Sequence, residues 1–170
     1  MPALSGEALF GISSSDKQNL KDIHELLERL FARNRNQHRR NHWFKSLHQF
    51  RKQLGLLLGE MESTKKVTVA RMMTERLQFW DEKCIHQWYL HFTQLVAVGP
   101  FAVLGLALMA CTARVCRITG ITAHYEEIAS EDMKGILTAV DDGLIADEFG
   151  GLLDEEEEEW DEGVLLMRET

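Results

Sequence analysis

A chain of 170 residues with 45 % hydrophobic and 27 % charged side chains, two prolines and twelve glycines can bury one real core, which excludes collagen-like and Pro-rich disordered compositions. The net charge of -8 hides an asymmetry: residues 141–170 hold thirteen acidic side chains and one basic one, so residues 1–140 are mildly basic at +4. The three cysteines, Cys84, Cys111 and Cys116, form no CxxC pair, and residues 1–11 lack the basic start and apolar centre of a secretory signal. A reducing, intracellular compartment and small buried thiols are the expectation.

Residues 1–15 show no sustained pattern and are expected to be flexible. After the Ser/Asp-rich stretch at 13–16, Leu20, Ile23, Leu26, Leu27, Leu30 and Phe31 recur at spacings of three and four, which predicts an amphipathic helix over about 16–33. Asn34, Asn36 and Asn41 then weaken helix propensity and suit a turn or cap, with a second helix expected to start near 38–42 and free N–H groups for a phosphate expected just after Asn36. Trp43, Phe44, Leu47, Phe50, Leu54, Leu57, Leu58 and Met61 resume the spacing, predicting a second helix to about 62. Val69, Met72, Met73, Leu77, Trp80, Cys84, Trp88, Phe92 and Leu95 carry a long third helix. Pro100, with no N–H to donate, either kinks it or begins a fourth, apolar helix that runs to about 118–120. Short helices are possible near 123–129 and 130–140, and six consecutive acidic residues from Asp154 to Glu159 should stay solvated. The expected fold is all-α: a bundle of about four helices within 16–140, followed by an acidic, largely disordered 141–170.

The stretch NRNQHRRNH at 34–42 packs three arginines, two histidines and four side-chain amides without a carboxylate. Between Glu28 and Glu60 there is no acidic residue, while Arg29, Arg33, Arg35, Arg39, Arg40, Lys45, Arg51 and Lys52 give +8 with His38, His42 and His48 among them. A solvated face normally mixes signs, so this segment asks for an anion. Nucleic-acid phosphate fits best: arginine forks match phosphate, amides such as Asn34, Asn36 and Gln37 read base edges or sugar hydroxyls, and an exposed Trp43 can stack on an unpaired base. Complementing the acidic tail, docking on a protein partner, or a plain solvated face are the competing readings.

His38 and His42 stand at i and i+4, a zinc-like spacing, but no third ligand lies near in sequence and a +8 segment repels a cation, so no metal is expected. Residues 95–111 form an unbroken apolar or Gly/Pro run, near the lower limit for a bilayer span. Pro100, the small Gly and Ala positions and the absence of aromatic belts favour a helix enclosed by its neighbours, with a membrane or scaffold protein as the alternative. No Gly-rich phosphate loop, GxSxG or HExxH is present, so no catalytic residue, cofactor or small-molecule substrate is assigned.

Two blocks resemble a known family. NRNQHRRNHWFKSLHQFRKQL at 34–54 is similar to the signature of the fungal protein subunit specific to ribonuclease MRP, and WYLHFTQLVAVGPFAVLGLALMACTARV at 88–115 resembles that family's second block. The resemblance implies a noncatalytic RNA-binding subunit of a nucleolar ribonucleoprotein endonuclease whose active site is RNA. Such a particle cleaves precursor ribosomal RNA in the internal transcribed spacer and shares most of its protein subunits with ribonuclease P. It further implies that Arg35, Asn36, Gln37, His38, Arg39 and Trp43, with Arg114 at the end of the second block, contact ribonuclease MRP RNA, and that Phe92, Gly99, Phe101, Leu104 and Gly105 are packing positions. Arg33, Asn34, Arg40, His42, Lys45, Arg51 and Lys52 join the RNA-contacting set from the charge pattern. Members of the family often carry a basic C-terminal extension where this chain is acidic, so the implied contacts are those of the helical core.

Overall fold

A computed structural model describes residues 4–126 and Lys134. The chain divides into two units, Met1–Glu127 and Ile128–Thr170, and of the second only Lys134 is described, so the helix expected near 130–140 and the acidic segment 141–170 lie outside the described residues. The described residues contain no strand and, besides a further helical stretch over 121–126 that falls partly on the helix expected near 123–129, five α-helices: α1 Ser14–His38, α2 His42–Met61, α3 Lys66–Phe79, α4 Ile85–Val96 and α5 Ala102–Thr119. A π-helical turn, Trp80–Cys84, joins α3 to α4, so the first unit is built of four rods, as the apolar spacing predicts. Its contacts run α1 to α2, α2 to α3 and α4, α4 to α5, and α5 back to α1.

Local chemistry explains the ends. Ser13 Oγ accepts from the Asp16 N–H at 3.0 Å and caps α1. Gly120, with φ of 84°, closes α5 in the left-handed conformation that only glycine adopts cheaply. Pro100 lies in a 3-10 turn, Gly99–Phe101, and starts a new helix instead of kinking a continuous one. The π-turn, in which the Ile85 N–H bonds Trp80 O, inserts one extra residue per turn. That insertion lets the adjacent Cys84 and Ile85 both face inward while Trp80 and Trp88 stay fully buried.

Leu20 and Leu27 of α1, Leu47, Phe50, Leu54 and Leu57 of α2, Met73 and Leu77 of α3, Phe92 of α4, and Leu108 and Val115 of α5 are fully buried with the two tryptophans. Phe50 stacks on Trp88 with centroids 4.6 Å apart. The indole N–H groups do not go unmet: Trp80 Nε1 donates to Gln53 Oε1 at 3.1 Å and Trp88 Nε1 to Gln49 Oε1 at 2.9 Å. Two α2 glutamines therefore pin the α3–α4 rod by satisfying its polar edges. Arg76 joins the same seam, donating to Gln53 Oε1 at 2.8 Å and to Glu60 Oε2 at 3.0 Å. All three cysteines are buried and free; burial pushes Cys84 to about 11 and Cys116 to about 12, leaving them as inert thiols.

Four sequence expectations change here. Helix α1 does not stop near Arg33 but runs to His38, because Asn34 Nδ2 donates to Leu30 O at 2.9 Å and so loses its reason to break the helix. Residues 4–11, expected to be flexible, lie against α3: Leu9 is buried, the Gly6 N–H donates to Thr74 Oγ1 at 2.8 Å, and a Cβ on Gly6 would meet Ala70 O at 2.5 Å. Gly99, implied as a packing position, is exposed and a Cβ there would meet nothing within 4 Å, whereas Gly105 is the true close approach, its would-be Cβ 2.8 Å from Val96 and 2.9 Å from Phe92 O. Finally α5 is not enclosed by its neighbours: Val103, 80 % exposed, and Leu106, Ala110 and Ala113 share one solvent-facing stripe. The segment Gly99–Thr119 is long and apolar enough to cross a membrane by length and composition, and 33 % of it is buried within the protein.

Candidate nucleic-acid interface

The α1–α2 junction is a three-residue link, Arg39, Arg40 and Asn41, so the last turn of α1 and the first turn of α2 form one tip. The first free N–H groups of α2 follow Asn41, not Asn36, and Asn41 does not cap them with its side chain. Its amide instead donates to His38 Nδ1 at 3.2 Å, folding the link back on α1. His38 lies 5.2 Å from Trp43 and 5.2 Å from Phe101, measured between ring centroids, which ties the tip to the start of α5.

On and next to this tip Arg33, Arg35, Arg39, Arg40 and Lys45 are all exposed, and none pairs with a carboxylate among the described residues; Lys52, equally exposed and without a carboxylate partner there, lies midway along α2. Asn36 and Gln37 are exposed beside them and, with Arg39, Arg40 and Asn41, line an open depression of about 800 Å³. A second hollow, about 290 Å³, lies between the helices where Arg35, Arg39 and Lys45 meet Phe31, Phe44 and His48. A third, about 360 Å³, opens where His38, Arg40, His42 and Trp43 face His91, Gln94 and Phe101. Cations and hollows converge on one end of the bundle, a surface that like-charge repulsion would open up unless an anion covered it.

Not every sequence-predicted residue belongs there. Arg51 is engaged: its Nη1 donates to both Glu28 oxygens at 3.0 Å, its Nη2 to His48 Nδ1 at 3.1 Å, and its guanidinium sits 4.0 Å from the Phe31 ring centroid. Arg29 is exposed but paired with Glu25. Trp43, read from sequence as an exposed stacking ring, is only 8 % exposed, packed edge-on against Phe44 and tilted over Phe101 at 6.4 Å. An aromatic at the first turn of a helix whose next residues enter the core has nowhere else to go. Arg114 lies away from the tip, about 20 Å along α5 from Phe101 at 1.5 Å per residue, lining a hollow with Asp16 and Arg117. His38 and His42 end on different helices, and no group of three or more His, Cys, Asp or Glu side chains that could hold a metal exists among the described residues.

His91 and Gln94 of α4 reach the tip although nothing in the sequence near 34–54 points to them. The His91 ring stacks on His42 at 5.5 Å and bonds Ser46 Oγ through Nδ1 at 2.6 Å. Burial, then the nearby His42, lower its pKa below the ordinary 6.5, and burial followed by Arg51 and Lys52 does the same for His48. In sequence His91 and Gln94 are two of several polar residues on α4, beside His86, Gln87 and Thr93, and nothing there marks them out.

An all-helical bundle whose described residues gather exposed cations without carboxylate partners at one tip presents a surface suited to docking an anion. The comparisons go further: the family described as Ribonuclease MRP protein subunit RMP1 matches residues 26–114, which spans α1 from Leu26 through α5 to Arg114, and the chain belongs to that family. It is 29 % identical over 106 residues to the Ribonuclease MRP protein subunit rmp1 of Schizosaccharomyces pombe (strain 972 / ATCC 24843), an alignment covering 62 % of this chain and 44 % of that relative. The chain thus spans under half the length of this curated relative. No solved structure matches.

Proposed function

We propose that this chain is a noncatalytic RNA-binding subunit of the ribonuclease MRP ribonucleoprotein, and that the α1–α2 tip docks on ribonuclease MRP RNA. The observation that carries the reading is the set of exposed cations without carboxylate partners at 33–45, concentrated at one end of the bundle. Its action is positioning: Arg33, Arg35, Arg39, Arg40, Lys45 and Lys52 neutralise phosphates, and Asn36 and Gln37 hold the local RNA shape. Membership of the family supports a place in the particle, hence the nucleus and nucleolus, the other protein subunits shared with ribonuclease P as neighbours, and a supporting role in cleavage of the precursor ribosomal RNA spacer. The exposed stripe of α5 is the surface available to such a protein neighbour.

RNA recovered by crosslinking to the protein in cells tests this. Ribonuclease MRP RNA should be enriched, and the enrichment should be lost when Arg35, Arg39 and Arg40 are changed to Ala. In vitro, each phosphate contact removed should reduce the slope of log affinity against log salt by about 0.7 to 0.9. A salt-insensitive complex, or enrichment untouched by the triple variant, would remove the tip from the account.

The exposure of Val103 and Leu106 favours one other reading, a membrane or scaffold protein using α5. Against it, Leu108, Cys111, Val115 and Cys116 on the other face of the same helix are buried, and Arg114 and Arg117 fall inside the apolar segment. Carbonate-resistant membrane pelleting would reverse that judgement.

A further inference from the structure

The cleft of about 360 Å³ between the start of α2 and the end of α4 has a composition unlike the rest of the tip. Its apolar lining includes Leu95 and the aromatic side chains Trp43 and Phe101, whose centroids are 6.4 Å apart. His42 and His91 also line it, stacked 5.5 Å apart with planes inclined by 29°. No Asp or Glu lines it, and Arg40 brings an exposed cation without a carboxylate partner among the described residues.

The polar groups are free where a ligand would need them. The Gln94 side chain, donor and acceptor in one amide, has no hydrogen-bond partner among the described residues, and neither has the His42 ring. His91 has Nδ1 committed to Ser46, which leaves Nε2 for a second partner. A flat heteroaromatic with donors and acceptors on its edge and a phosphate attached uses all of these features together, whereas an acidic peptide would leave the aromatic surface and the amide edge unmatched.

We infer that this cleft holds one unpaired nucleobase of the RNA bound at the tip, with the ring against the accessible Phe101 and Val98, Gln94, His42 and His91 Nε2 at its edge, and Arg40 on its phosphate. The inference rests on the RNA reading above and adds a site where a single nucleotide is held by its base, not only by its charge. It also assigns α4, which carries no cation of its own beyond its histidines, a direct part in RNA contact.

The experiment uses the full chain with AMP, GMP, CMP and UMP as probes and inorganic phosphate as control, followed by amide and imidazole resonances. At least one nucleotide should shift the Gln94 side-chain amide and the His42 and His91 rings at a concentration where phosphate does not. In parallel, Gln94→Leu and His42→Ala, both at exposed positions, should weaken binding of a mixed-sequence single-stranded RNA by about fivefold to thirtyfold, the range of a lost base contact. Their salt slope should stay at the wild-type value, while Arg39→Ala lowers it by about 0.7. Equal shifts from phosphate and nucleotides, or RNA affinity unchanged in both cleft variants while Arg39→Ala still weakens it, would overturn the base site and leave the phosphate-binding tip standing. Wild-type protein that binds no RNA would overturn both.

Discussion

The α1–α2 tip and the α2–α3–α4 seam are built from the same kinds of side chain and treat them in opposite ways. In the seam, Gln49 and Gln53 accept from the Trp88 and Trp80 indoles, and Arg76 is held by Gln53 and Glu60, so these polar groups are met from within. At the tip, Gln37, Arg35, Arg39 and Arg40 face solvent without partners among the described residues. Arg51 marks the border: eleven residues beyond Arg40, it is already tied to Glu28 and Phe31. The same residue type is structural where an internal partner exists and available for an external one where it does not.

The largest effect expected on this contrast comes from the seam. Trp88→Ala empties a fully buried volume and orphans Gln49, and should cost about 3–5 kcal/mol in urea unfolding. Gly105→Val forces α5 away from Val96 and Phe92 and should cost about 1–3 kcal/mol by the same measurement. Arg51→Ala should cost about 1 kcal/mol, because it loses the Phe31 ring and the Glu28 pair while relieving a buried Nε that has no partner. Its salt slope for RNA should match wild type, and a reduced slope would move Arg51 to the tip's side of the border.

The smallest effect separates the two regions by pH. His91 and His48 have folded-state pKa values below 6.5, so the unfolded chain binds more protons as pH falls through that value, and stability should decline from there downward. RNA affinity should move the other way over the same window, since each protonated histidine adds a cation beside phosphate. Thermal melts and anisotropy titrations at matched pH check both signs, and His91→Gln should flatten part of the stability trend.

The rods were legible because core residues must recur at three and four on a helix, and Trp80, Trp88, Leu47 and Leu54 do so without interruption. The end of α1 was not, since Asn34 has poor intrinsic propensity and its bond to Leu30 O is visible only once the helix exists. The π-turn was hidden for a related reason: a single inserted residue barely alters the apolar spacing but lets the adjacent Cys84 and Ile85 both turn inward. For the candidate interface, the cationic segment stood out in sequence because an unbroken like-charge run is itself a signal. Trp43 was misread because periodicity marks which residues are apolar and not which of them the neighbouring helices cover.

By itself, then, the order of residues determined an all-helical chain, the position of its cationic segment and, through two motif blocks, its family. Only the tertiary structure decided which cations stay free, that Arg114 stands away from them, and that His91 and Gln94 come to lie beside His42 and Arg40. The physical reason is range: propensity and charge runs act over a few residues, whereas pairing and burial depend on which helices meet across the bundle.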